Sequence, residues 1–453
     1  MISRRRSALV FAVVVSLAPL AAHGQEAEPE GTVERRPVPD YGRAPEPEEP
    51  AEALLWIPRI LFLPLHVVLE YLVRLPLDWL LRAIELERLD AILRPAEMPQ
   101  LARPEARWTF LPRARYDYGL QPSAGLGFRV HDASERLHLR VGFAFWGKEQ
   151  VSGDVRASAR FGPTSAALDV LGSYRSDGIF HGLGWSSPPS PRARYAEARG
   201  GGGVSFTGRP WRRTAITSGV RAAVHRFDDT PFHQDDDVSI DQAIASGAIV
   251  APPGYPEGYT ALETWLRVVL DTRRENEWPH ASGVRAELVG AWAIDLERGV
   301  DASWARAHAE VELALEVMRD RAVSLRSVVA IAESLGPLAV PFTEQVWLGG
   351  ELSRMPGFLP GRLIGESAVT LGLAWRYAIW AWIDAALFVD VGNVFGSLFD
   401  DLELERLRLS FGTALMAHDE DDFAILLAFG TEPFVLGADL SSVRFAISFG
   451  MPP

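Results

Sequence analysis

The chain has 453 residues, 48% of them hydrophobic, no cysteine, a single lysine (Lys148) and a formal net charge of -14 at pH 7. Without thiols it offers no disulfide and no soft-metal site, and its acidic balance argues against a nucleic-acid partner, which requires a basic footprint. A mean hydropathy of +0.03 suits a barrel wall whose lipid-facing residues are diluted one to one by lumen-facing ones.

At the start, Arg4, Arg5 and Arg6 precede an apolar run over 8–22, with Ala22 and Gly24 as small residues before a cleavage point. The pattern predicts a secretory signal over 1–24, cut before Gln25; the run is shorter than the ~20 residues of a spanning helix. Residues 25–52 are rich in Glu, Pro and Arg and predict a disordered leader. In 53–97 the spacing of Leu65, Val68, Leu69, Leu72 and Leu75 is helical, Glu70 and Arg74 form an i,i+4 pair, and Pro76 stands where a second helix begins. Two short amphipathic helices are expected there. Their apolar faces need a partner: the barrel wall, its periplasmic mouth, or the inner leaflet of the membrane; a helical hairpin that only caps the barrel is the plainer reading. The segment cannot cross a bilayer, because Pro58, Arg59, Pro64, His66, Glu70, Arg74, Pro76 and Asp78 interrupt it.

From Arg107 the apolar period becomes two and stays there. Strands are expected near 107–118, 121–131, 135–147, 150–161, 164–174, 194–207, 213–226, 259–271, 282–297, 303–318, 321–333, 365–379, 381–394, 404–416, 422–430 and 441–449. Leu137, Leu139, Val141, Phe143 and Phe145 alternate with His138, Arg140, Gly142 and Ala144; Val443, Phe445, Ile447 and Phe449 alternate with Arg444, Ala446, Ser448 and Gly450. If the first strand rises from the periplasm, the long connections (175–193, 227–258, 334–364, 395–403, 431–440) all fall on the extracellular side and the short ones on the other. That asymmetry is a property of outer-membrane barrels, and the even strand count agrees with it. The fold expected is all-β: an antiparallel transmembrane barrel of about sixteen strands over 107–453, with a short amphipathic helical N-terminal prefix.

In the strand at 381–394, Asp384, Ala386, Phe388, Asp390 and Gly392 face the lumen while Ile383, Leu387, Val389 and Val391 face out. A lumenal carboxylate such as Asp390 needs a donor or a hydrated surround. The connection upstream supplies donors: Gly349, Gly350, Gly357 and Gly361 permit tight turns, and Arg354 and Arg362 offer guanidinium forks. The loop then folds inward and docks an arginine on Asp390, or it stays a solvated surface loop. No catalytic set is expected: His138 and His225 face inward beside arginines, His308 is placed near a turn, and no serine pairs with them at triad spacing. The acidic run Asp228, Asp229, Asp235, Asp236, Asp237 reads as a solvated loop or as a site for divalent ions that bridge to lipopolysaccharide. Asp419 to Asp422 reads as a solvated turn. No metal or cofactor is expected.

The stretches PFTEQVWLGGELSRMPGFLPGR, WRYAIWAWIDAALFVDVGNVFG and the terminal VRFAISFG resemble the C-terminal barrel of the outer-membrane assembly superfamily that includes BamA, TamA, two-partner secretion transporters and bacterial surface antigens. DTRRENEWPHASG at 271–283 resembles its recurrent turn, and LPRARYDYG its first strand. The resemblance covers 107–453. It implies a sixteen-stranded barrel whose sixth extracellular loop enters the lumen, with Gly349, Gly350, Arg354, Gly357, Phe358 and Arg362 on the loop, Phe388, Asp390 and Gly392 on the wall, and Phe445, Ile447 and Phe449 as terminal signal. Two departures stand out. The family's loop signature is an aliphatic residue, Arg, Gly and an aromatic, where this chain has Met355, Pro356, Gly357 and Phe358, so Arg354 or Arg362 is the candidate substitute. The family's periplasmic POTRA modules mix strands and helices, and 53–97 is too short and too helical to be one.

The expected function is assembly or translocation in the bacterial outer membrane. A seam between the first strand and a last strand curtailed by Gly450 and Pro452 opens sideways to pass polypeptide or lipid, while Arg113, Arg115, Arg376, Asp384 and Asp390 hold the loop. The alternative is a passive pore, or a structural barrel whose prefix anchors a periplasmic partner. Expected partners are outer-membrane lipid and lipopolysaccharide, unfolded outer-membrane or secreted polypeptides, and a periplasmic partner through 53–97.

Overall fold

The computed structural model describes residues 106–450 apart from 133–135, 148, 191, 212, 231–236, 274–280, 319–320, 351–353, 381–382 and 418–422, together with Leu63 and the pair Ala96–Glu97. The expected signal segment, the leader and nearly all of the helical prefix lie outside the described residues, as do Lys148, Asp235, Asp236 and Asp419 to Asp422.

Sixteen antiparallel strands close into a barrel. In chain order they are β1 Ala106–Asp117, β2 Ser123–Asp132, β3 Leu137–Trp146, β4 Gln150–Phe161, β5 Thr164–Phe180, β6 Arg192–Trp211, β7 Thr214–Asp228, β8 Tyr259–Asp271, β9 Gly283–Asp295, β10 Gly299–Met318, β11 Arg321–Ser334, β12 Ser367–Trp380, β13 Ile383–Phe395, β14 Arg408–Ala417, β15 Phe423–Thr431 and β16 Leu440–Phe449. Each pairs with its sequence neighbours, and β16 returns to β1. The long connections gather at one end, the loop end, and the short ones at the other, the turn end, as the connection lengths predict.

Strict alternation forms these strands because the two faces meet different solvents. Val141, Phe143, Val170, Val204, Leu288, Leu313 and Val443 stand on the outside with 37–49% of their surface exposed, as a bilayer-facing band requires. Arg113, Glu263, Glu310, Glu312 and Arg444 face inward and are buried. Closure gives every strand a partner on both sides, which matters in hydrocarbon because each unsatisfied backbone group there costs several kcal/mol. Among the described residues no helix is long and apolar enough to cross a membrane.

Several strands differ from expectation in length, β10 among them, which begins at Gly299. β5 and β6 continue past 174 and back to Arg192 at the loop end, through a bulge between Arg175 and Gly178. Ser176 and Asp177 break the apolar alternation there, but the ladder is made of backbone groups and persists. β14 begins at Arg408 because Leu404–Arg406 forms a 3-10 turn.

The turn-end connection after β8 is braced by Asp271, Thr272 and Arg273. Arg273 is buried, donates from Nε and Nη2 to Asp271 (3.0 and 2.9 Å) and reaches Glu312 at 3.3 Å, while the Thr272 hydroxyl accepts from the Val284 N–H at 2.9 Å. At Gly283 (φ 152) any side chain would collide with Thr272 and Arg273.

Candidate functional site: the inward loop and the seam

The connection 335–366 enters the lumen, as its glycines and the resemblance imply. A 3-10 turn, Phe342–Glu344, leads into a short hairpin in which Val346–Leu348 pairs with Leu363–Gly365. Gly349, Gly350 and Gly361 adopt left-handed backbone (φ 91, 83 and 86) and bend the tip. Gly349 and Gly350 donate to the carbonyls of Arg354 and Phe358. Phe342 is the hub of an aromatic core that fills the loop end, with ring centroids 5.6 Å from Phe180, 5.3 Å from Tyr195 and 5.1 Å from Phe227. Beside it the Glu344 carboxylate accepts from Tyr259 Oη at 3.0 Å and pairs with Arg306 at 2.8 Å, which fixes the base of the loop to β8 and β10.

The tip lies against the opposite wall. Gly357 donates its N–H to Ser410 Oγ (2.8 Å) and accepts from Ser442 Oγ (2.7 Å), and a side chain at Gly357 would strike the Phe429 carbonyl. Phe358 is fully buried with its ring over Gly430. Asp390 does not receive an arginine of the loop. The cation beside its carboxylate is Arg326 of β11, and the loop backbone at Met355 lies close by. Met355 has φ 55, a left-handed conformation that costs a non-glycine residue about 1–2 kcal/mol, and complete burial holds it in place. Gly372 faces Asp390 across the ladder, and a side chain there would displace the carboxylate.

Both candidate arginines point elsewhere. Arg354 Nη2 lies 3.2 Å from Nε2 of His308, which sits in mid-β10 and not near a turn. Arg362 donates to the Ser187 carbonyl and hydroxyl at 3.1 and 2.8 Å and faces Glu432 at 3.6 Å. It ties the loop to the connection after β5, where Arg408 donates to the Trp185 carbonyl and Arg406 lies over the Trp185 ring. Phe388 packs on an inward apolar cluster that contains Met416 and Leu426, and Gly392 allows close approach of the β12 backbone at Val369. The other lumenal charges brace the wall: Arg113 with Asp154, and Arg376 with Asp384 at 3.3 Å. Asp237 is not solvated. It is buried between Arg192 and Arg194, the latter at 2.7 Å, because 237–239 pairs in parallel with β6.

The seam is short. Only four positions pair, from Ala114 with Phe449 to Asp117 with Ala446, where the next shortest ladder, β14 with β15, pairs seven. Phe445, Ile447 and Phe449 face outward on β16 as expected, and Phe445 meets Tyr116 edge to face at 6.3 Å. β16 leaves the ladder at Gly450 (φ 62), which lies against the carbonyl of Pro112.

Inside this seam lies the contact that the sequence reading missed. Arg444 of β16 forms a fork on Asp117 of β1, with Nε at 3.1 and 3.0 Å and Nη2 at 2.7 Å, both side chains 1% exposed. The same guanidinium donates to the loop carbonyls of Pro356 (3.2 Å) and Gly350 (3.0 Å). One side chain therefore joins the first strand, the last strand and the loop tip.

With this arrangement in view, the comparison with solved structures is informative. The barrel aligns with the crystal structure of BamA from Haemophilus ducreyi lacking POTRA domains 1-3 at a TM-score of 0.54 and 11% identity, over 80% of this chain and 77% of that one. The fold is that of the BamA barrel. CdiB from Escherichia coli is also similar, at a TM-score of 0.50 and 12% identity over 79% and 67% of the two chains. No protein-family model matches the sequence, and neither does any curated protein. At these identities the likeness is one of fold.

Below the loop tip a cavity of about 780 Å³ is lined by Arg115, Arg221, Glu263, Arg306, His308 and Arg354 among others. Above it, the connection after β5 carries a pH-sensitive group. His181 is buried, its Nδ1 3.1 Å from the Pro188 carbonyl; burial first, and then the charge of Arg362, lowers its pKa to about 3. The unfolded chain takes up this proton near 6.5, so the stabilisation is complete above that value and is lost as pH falls from it towards 3. The heat-unfolding midpoint is expected to drop between pH 7 and pH 4.5, and His181→Gln is expected to flatten that dependence. An equal slope in both proteins would assign the acid sensitivity to other groups.

Proposed function

We propose that the chain is a bacterial outer-membrane barrel of the assembly superfamily, with its turn end in the periplasm, and that it assists outer-membrane protein or lipid assembly or polypeptide translocation by opening sideways between β1 and β16. The observation that carries this reading is the seam itself: four paired positions, closed from within by an arginine that also grips the loop. Opening the seam pulls Arg444 away from Asp117 and so removes the anchor that fixes the guanidinium on the loop tip. Unfolded outer-membrane or secreted polypeptides are the clients, lipid and lipopolysaccharide surround the wall, and residues 53–97 recruit a periplasmic partner. A passive pore fits less well, because the inward loop and its aromatic core fill the loop end.

The test is single-channel conductance of the refolded mature chain in a planar bilayer. A barrel closed most of the time, with erratic openings, is expected. Steady large conductance would replace this reading with a pore.

A further inference from the structure

The first barrel strand has two edges, and only one is fully used. Along residues 106–115 it pairs with β2; on the opposite edge β16 reaches only 114–117. Residues 106–113 thus present a row of backbone donors and acceptors at the turn end. The last strand cannot extend along them, because Gly450 turns away against the Pro112 carbonyl. Yet this edge is occupied. Ala96 pairs with Phe110 and Glu97 with Thr109, antiparallel, and since β2 holds the other edge this pairing lies on the side of β16.

We propose that the pair Ala96–Glu97 is a resident cap on a strand-docking site, held there until a longer extended polypeptide displaces it. The proposal rests on the sideways-opening reading and adds what occupies the edge at rest. Two features limit the cap. It spans two residues, and Pro95 directly before it and Pro99 two positions after it have no N–H with which to lengthen the pairing. What holds it is proximity. Residues 98–108 alone separate Glu97 from its partner, and a tether of that length corresponds to an effective concentration on the order of millimolar. Such a cap blocks casual edge-to-edge association but yields to an incoming strand that pairs along all of 106–113. The docking segment must present apolar residues in step with Trp108 and Phe110 on the outer face, and small or polar ones in step with Thr109, Leu111 and Arg113 on the inner.

The chain has no cysteine, so pairs can be introduced cleanly. In full-length protein refolded into phosphatidylethanolamine and phosphatidylglycerol vesicles, Ala96→Cys with Phe110→Cys, or Glu97→Cys with Thr109→Cys, is expected to form an intramolecular disulfide. The control pair Ala96→Cys with Phe128→Cys is expected to form none. Failure of both test pairs would overturn the cap. The probe for docking is a benzophenone-labelled peptide of sequence LSSVRFAISF. Its photolabelling of β1 is expected to rise several-fold in Ala96→Pro/Glu97→Pro over wild type, and to fall below wild type in the disulfide-locked form. Equal labelling of the three forms would also overturn the cap. Disulfides with no labelling of any form would leave the pairing in place but remove the docking role, and with it the sideways-opening reading beneath it.

Discussion

Arg444→Met is expected to lower the heat-unfolding midpoint of the barrel and to raise its open frequency in a bilayer at the same time. The guanidinium makes three contacts within 3.1 Å to Asp117 and one to each of two loop carbonyls, at a site from which water is excluded. Methionine keeps most of the volume and removes every donor. Asp117 would then be a buried carboxylate whose nearest cation is Arg115, 3.7 Å away, and removing one partner of a buried pair typically costs about 3–5 kcal/mol. Arg444→Lys should recover little of this, because an ammonium cannot serve two carboxylate oxygens and two carbonyls through a planar fork. Asp117→Asn added to Arg444→Met should recover part of the stability, since it removes the stranded charge, but not the closed state, since the loop carbonyls still lack their donor. The shift of the folded band on semi-native gels with temperature reads the first effect, and conductance the second. A variant that unfolds earlier but stays closed would separate the seam from the loop and show that Arg444 is only a structural ion pair.

The wall was legible because a bilayer outside and water inside impose a period of two that nothing else in the chain disturbs. Phe445 and Arg444 could not exchange faces without putting a charge in lipid, so the register of β16 follows from its sequence alone. The inward loop was legible for a related reason: the left-handed turns at Gly349, Gly350 and Gly361 and the length of the connection leave few other paths. The contacts of the loop were not. Arg354 and Arg362 have long side chains on a doubled-back segment, and whether they point down to Asp390 or up to Ser187 depends on turn geometry that alternation does not encode. Asp390 has Arg326 of the neighbouring wall as its cation, a partner that the loop motif does not advertise. A signal for the true latch was present. Arg444 is the only charged residue of β16, Asp117 the only acid on the lumenal side of β1, and barrel closure must bring these two strands together. Pairing charges across the closing seam, rather than within the loop motif, would have found it.

Locking that seam is expected to abolish assembly activity without harming the barrel. Tyr116 and Ile447 are directly paired across it and face outward. Opposed residues of an antiparallel pair have Cα atoms about 4.5–5.5 Å apart, within the range a disulfide accepts, so Tyr116→Cys with Ile447→Cys should oxidise without moving either strand. The rate at which the protein speeds folding of an unfolded outer-membrane barrel into vesicles should fall to the unassisted rate in the oxidised form and return on reduction. The oxidised protein should still resist heat at least as well as wild type, because the added bond closes the weakest ladder. Leu427→Cys with Phe445→Cys, paired one ladder away, supplies the control and should leave activity unchanged. Activity that survives the first lock would mean that clients do not pass between β1 and β16. The short ladder would then be only the place where the barrel finished closing, and the lumen beneath the loop would become the path to test.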